Sequence, residues 1–152
     1  MKEERKPGIN LPPDVQFLED LGLLIYRPVG VLSEASVNKI IRVLGDLEFV
    51  WKKPFNRFFD ALSHDEVKLN FEYVLHISLY RRLSYSNRPP IKSAILATHS
   101  AVIHYARLHK LLTQGSPIKV RIFSSYEEAA HWLGVPVIVL INDGSVSSKN
   151  SS

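Results

Sequence analysis

The sequence contains no cysteine. That excludes a disulfide scaffold, a thiol nucleophile, a thiolate zinc site and an iron–sulfur cluster. Long hydrophobic runs are also missing: no stretch approaches the roughly 18 apolar residues of a membrane-spanning helix. The opening Met1-Lys2-Glu3-Glu4-Arg5-Lys6 is charged and leads into no apolar core, so it does not read as a signal peptide. A soluble, cytoplasmic protein with no membrane insertion is expected. No P-loop, dinucleotide fingerprint or Gly-x-Ser-x-Gly elbow occurs, and serine with histidine alone is too common to mark a hydrolase. The chain is therefore expected not to be an enzyme. Of the six histidines, no two stand at the i, i+4 spacing of a helical zinc site. His99, His104 and His109 recur every five residues, about 500° of helix rotation, and share no face. Neither a metal nor a cofactor is expected. Charge of one sign is scarce too: 19 Lys and Arg against 15 Asp and Glu leave a net +4, too mild for a nucleic-acid footprint. Tyr73, Tyr80 and Tyr85 do interleave with Arg81, Arg82 and Arg88, as on a nucleic-acid face. A helix buried against a sheet, with a basic C-terminus, gives the same pattern, and no nucleic-acid partner is expected.

What is present is an ordinary globular balance, 45% apolar and 22% charged residues in a chain of 152. That length suits one domain with a sizeable core. Three segments are expected. Residues 1–14 form a polar, proline-punctuated, flexible arm. Residues 15–134 form the domain. Residues 135–152 form an apolar, strand-like extension and a Ser-rich, disordered tail.

Within the domain, Val15 to Glu19 and Leu23 to Tyr26 read as a hairpin. Ser33 caps a helix whose stripe is Val37, Ile40, Ile41, Leu44 and Leu47, with a stop expected at Gly45 and a loop from Asp46 to Pro54. Asn56 to Ala61 reads as a short buried strand. Ser63-His64-Asp65-Glu66 fits a capping box opening a largely buried helix that runs to about Leu83 and turns basic at Arg81-Arg82. Ile91 to Thr98 is the next strand, and Ser100 caps a helix to about Leu112. Ile118, Val120 and Ile122 alternate with Lys119, Arg121 and Phe123, the period of a strand with one wet face, near a sheet edge. Ser125 and Glu128 cap a final helix that stops at Gly134. The fold class is α/β, in the order β-β-α-β-α-β-α-β-α, with a mixed, mostly parallel sheet covered by helices.

Several features together resemble the SpoIIAA-like, STAS-like group, the anti-sigma-factor-antagonist fold. They are the element order, Asp60 ending the third strand, Tyr105-Ala106-Arg107 in the third helix, and Phe123 followed by Glu127-Glu128-Ala129 and Trp132-Leu133-Gly134. The likeness spans residues 15–134. It implies a regulatory or ligand-sensing module, often dimeric, acting by protein–protein contacts. It also implies that a nucleotide, lipid or other anion could be the ligand. One departure matters. Such antagonists carry an Asp-Ser-Ser-Gly-like phosphorylation site after the third strand, where this chain reads Asp60-Ala61-Leu62-Ser63-His64-Asp65-Glu66. A kinase-controlled switch is not expected.

Two surfaces are candidates for binding. In open α/β sheets, ligands sit beyond the carboxyl ends of parallel strands. Those ends place Asp60, Ser63, His64, Thr98, His99 and Ser100 together, with Arg107 two turns into the following helix. Hydroxyls, imidazoles and free helix amides there would suit a small anion. The simpler alternative is that the serines are caps, Asp60 orders a loop, and Arg107 pairs with Glu127 or Glu128. The second surface is the segment Val135-Pro136-Val137-Ile138-Val139-Leu140-Ile141, the most strand-prone in the chain. Val135, Val137, Ile138, Val139, Leu140 and Ile141 would either add an edge strand to this domain's own sheet or cross to a second copy in a homodimer.

Overall fold

The computed structural model describes residues 10–141. The rest of the expected arm and the Ser-rich tail lie outside the described residues. Among the described residues, seven strands form two sheets. β1 (Val15–Leu18) turns back through one 3₁₀ turn into β2 (Leu23–Tyr26), the expected antiparallel hairpin. β2 runs parallel to β4 (Asn56–Asp60), β4 to β6 (Ile91–Leu96), and β6 to β7 (Ile118–Phe123). The five-stranded order is β1-β2-β4-β6-β7, so β7 is the edge strand that its alternating pattern indicated. Two further strands, β3 (Gly30–Ser33) and β5 (His64–Lys68), pair in parallel as a separate small sheet.

The helices are α1 (Glu34–Trp51), α2 (Phe71–Ser84), α3 (Ser100–Leu112), α4 (Tyr126–Leu133) and α5 (Val137–Ile141). Side chains alternate across the sheet, as a two-residue period requires. Leu23, Ile25, Phe58, Ala94, Leu96 and Phe123 pack against α4 and α5. On the opposite face Leu24 and Tyr26 meet α1, and Ile91, Ile95, Ile118 and Val120 meet α3. The mixed, mostly parallel α/β sheet covered by helices is therefore present.

Four local expectations are corrected. α1 does not stop at Gly45. Its buried stripe continues through Leu47 to Trp51, and the chain leaves the helix only at Lys52, which is left-handed (φ 64°). Gly45 is exposed, where it costs the helix only about 1 kcal/mol relative to Ala. Ser63 does not cap α2. His64–Lys68 instead pair with β3, and Asn70 caps the helix, accepting from the Tyr73 amide at 2.8 Å. Partner strand β3, distant in sequence, offers the backbone more than the local capping signal does. At α3 the cap is His99, whose Nδ1 accepts from the Ala101 amide, rather than Ser100.

The last correction concerns Val135 to Ile141, which is not a strand. After Gly134 (φ 76°) the chain turns, and Pro136 precedes a short helix that folds onto α4. Leu140 is fully buried, and Val135, Val137 and Val139 pack around the same core cluster. Ile138 stays exposed. This segment covers its own domain, with Val137–Ile141 as a helix, and adds no edge strand to this domain's sheet. β-branched preference is a preference for a half-buried sheet surface, and here the vacant apolar surface belongs to a helix.

Candidate functional site

The sheet's carboxyl edge gathers only some of the residues expected there. Asp60 is buried and fully engaged. Its Oδ2 accepts from Arg27 (2.9 Å) and Tyr126 (2.8 Å), and its Oδ1 accepts from the Leu62 amide. The loop-ordering role is thus met, within an ion pair to Arg27. Asp60 and Ser63 line a polar hollow with Arg27, Asp14 and Tyr126. His64 is buried on the neighbouring strand, Nδ1 at 3.2 Å from the Gly30 carbonyl. Burial pushes its pKa down, and nearby His99 pushes the same way against Asp65 and the Gly30 carbonyl. Thr98, His99 and Ser100 are exposed and do not line the hollow. Arg107 is exposed on α3 and makes no ion pair among the described residues, with Glu127, Glu128 or any other acid.

A second, more apolar opening lies under helices α1, α2 and α3. α2 packs firmly on α3, whereas α1 and α2 touch little along their lengths. Polar clasps join them at both ends. At the start, the Tyr73 hydroxyl donates to Asn38 (2.6 Å) and the Asn70 amide to Glu34 (3.3 Å). At the finish, Glu48 of α1 accepts from Tyr85, from Arg57 at 2.6 Å and from Arg88 at 3.2 Å. Between the clasps the helices stand apart. Small residues below them, Ser93 of β6 and Ala106 of α3, leave the space unfilled. The result is an apolar chamber of about 140 Å³, partly open to solvent. Leu24, Phe59 and Ile95 form its floor, Ile40 and Ile77 its walls, and Val102 its far side.

Several polar groups stand in that wall, among them Arg57, Arg81 and His109. Arg81 of α2 is 8% exposed, and its Nη2 has no hydrogen-bond partner. Its Nη1 meets His109 Nε2 of α3 at 3.3 Å, and His109 Nδ1 meets Ser78 Oγ at 2.8 Å. Burial, reinforced by the Arg81 charge, pushes the His109 pKa from its ordinary 6.5 down to about 3. The ring is therefore neutral near pH 7. Its Nε2 accepts from Arg81, which leaves the proton on Nδ1 to be donated to Ser78. Tyr26, also in the wall, is pushed up to about 12, first by burial and then by Asp14, and stays protonated.

The chamber was not among the sites expected from sequence. Arg81 reads as a basic helix end, yet Val74, Ser78, Arg81 and Tyr85 recur at helical spacing and are all buried. An arginine within the inward stripe was the available signal. Among the described residues no cluster of three or more His, Asp or Glu could hold a metal ion, and no helix is long and apolar enough to cross a membrane.

No family profile and no curated protein matches the chain. Among solved structures it is similar to an uncharacterized protein of the DUF3478 family with a SpoIIAA-like fold, from Shewanella loihica PV-4. The two are 18% identical over 73% of this chain and 83% of that one, with a TM-score of 0.49.

Proposed function

We propose that this chain is a non-enzymatic regulatory module in which a small, apolar-bodied ligand held between the sheet and α1, α2 and α3 controls protein contacts. The observation that carries the reading is that the chamber and an exposed apolar rim share one cleft. Phe49 at the end of α1 and Tyr80 and Leu83 on α2 are 77%, 54% and 74% exposed, and Phe49 and Tyr80 border the outer cleft that Arg81 joins to the chamber. Exposed aromatic and aliphatic side chains grouped at a cleft are typical of contact surfaces. A ligand wedging α1 from α2 would move that rim. His109 supports a binding role over a catalytic one, because both ring nitrogens are engaged and the ring stays neutral. Self-association belongs to the same reading, with this rim in place of Val135–Ile141.

The test is a methyl NMR titration of the full chain with benzyl alcohol, an uncharged apolar probe. Saturable shifts at Val102, Ile77 and Ile95 are expected, and Ala106→Phe should abolish them by filling the space. Shifts confined to the Asp60–Ser63 hollow would move the site to the carboxyl edge. An absence of saturable shifts would end the ligand reading. For the contact surface, sedimentation of Leu83→Ser against the parent should show weaker self-association.

A further inference from the structure

The guanidinium of Arg81 lacks a counter-charge of its own. No carboxylate lies within ion-pair distance of it among the described residues. Tyr85 is its main electrostatic support, through a side-chain hydrogen bond, and the one carboxylate that acts on it, Glu48, already holds Arg57, Arg88 and Tyr85. His109 offers Nε2 as an acceptor but no negative charge. The Tyr85 ring lies 5.6 Å from the guanidinium carbon, a modest cation–π contact. Burying a cation without compensation is costly, and proteins normally place an anion beside it. Arg27, at the carboxyl edge, shows the contrast: it also has a free Nη2, but Asp60 neutralises it. Of the two arginines in the chamber wall, Arg57 is paired with Glu48, and Arg81 is the one without an ion pair, its Nη2 enclosed and unpartnered.

Size and wall chemistry narrow the anion. An apolar cavity of about 150 Å³ is known to hold benzene, six heavy atoms. The present chamber, about 140 Å³, is of that size. One guanidinium edge is free, and most of the remaining wall is apolar, so a second charge on the ligand would be buried unpaired.

We propose that the ligand is a small monocarboxylic acid, with an apolar body of about six heavy atoms in the chamber and its carboxylate on Arg81 Nη2. This rests on the chamber being the ligand site. The body contacts Val102, Ile95 and Ile77 while the carboxylate replaces the missing counter-charge. The ligand then holds an ion pair with α2 through Arg81 while its body touches α1 at Ile40, beside the cleft lined by Phe49 and Tyr80, which couples occupancy to the contact surface.

The experiment is calorimetric titration of the full chain at pH 7.5 with benzoate and hexanoate, against their uncharged counterparts benzyl alcohol and hexanol and the cationic hexylamine. The acids should bind about tenfold or more tightly than the alcohols, the margin of a charge-assisted hydrogen bond, and the amine most weakly. Arg81→Met should remove that preference while leaving alcohol binding in place, and Arg81→Lys should restore part of it. Equal affinity of acids and alcohols for the parent, or a preference that survives Arg81→Met, would overturn the carboxylate assignment and leave the chamber as a neutral-ligand site. If neither acids nor alcohols bind the parent, the chamber reading itself fails. The comparison across ligands on the parent needs no variant, so it decides the matter even if Arg81→Met does not fold.

Discussion

At the scale of single residues, the charged groups at the finish of α1 and α2 matter most for stability. Arg57 and Glu48 form an ion pair with side chains only 6% and 17% exposed, and Tyr85 and Arg88 complete it. Removing one partner strands the other in a low-dielectric site. Glu48→Gln is expected to cost about 3 kcal/mol in urea unfolding, as a broken buried pair does. Tyr85→Phe removes a bond but no charge, and should cost about 1–2 kcal/mol. Histidine sets the acid response. His109 resists protonation until about pH 3 in the folded chain, while the unfolded chain takes up that proton near its ordinary 6.5. Stability from this group is therefore complete above 6.5 and is lost as pH falls towards 3. The buried His64 is shifted in the same direction. Ser78 and Arg81 are the polar groups bonded to His109, and Arg81 is the neighbour that adds to the depression. The melting temperature should drop between pH 7 and pH 5, and His109→Gln should flatten that drop measurably.

At the scale of elements, caps and packing tell apart the two starts considered for α2. Asn70→Ala removes the observed cap and should cost about 1 kcal/mol. Ser63→Ala, exposed beside β5, should fall within about 0.5 kcal/mol of the parent. Chemical denaturation of both variants distinguishes a helix opening at Asn70 from one opening at Ser63. The terminal helix α5 is tested in the same way. Leu140→Ala should cost about 2–5 kcal/mol, because the side chain is fully buried under α4. Ile138→Ala, on the exposed side of the same turn, should cost about 0.5 kcal/mol or less. An added edge strand would instead place Ile138 and Leu140 on one face and bring their costs together.

At the scale of the whole molecule, the chamber is a consequence of architecture. Two helices clasped at their ends span a sheet that places the small Ser93 beneath them, with Ala106 of α3 alongside, and the space between is left unfilled. A ligand that fills it binds the folded chain and not the unfolded one, so it must stabilise the fold. Benzoate at ten times its dissociation constant is expected to add about 1.4 kcal/mol, read as a concentration-dependent rise in melting temperature. Arg81→Met should lose most of that rise with benzoate and keep it with benzyl alcohol.

Periodicity and punctuation were enough to determine the α/β class, the opening hairpin, the edge position of β7 and the stop at Gly134, whereas strands β3 and β5 and helix α5 were absent from the expected order. Each of the features so determined depends on neighbours a few residues away: alternation in Ile118–Phe123, the cap at Ser125, the left-handed turn at Gly134. The pairing of β3 with β5 joins residues more than thirty positions apart, and with it the start of α2 moved from Ser63 to Asn70. Val137–Ile141 became helix because α4 offered its apolar side. The carboxyl-edge residues were legible as a group, but whether each was free or occupied was not, since Asp60 is engaged by Arg27 and Tyr126 from other elements. The chamber lay furthest from view. Its existence depends on the distance between two helices and on Ser93 and Ala106 lying beneath the same gap. Its chemistry depends on one arginine turned inward without a counter-ion. Local sequence sets which way a backbone runs, and only tertiary packing decides which surfaces are left unfilled and which charges are left unpaired.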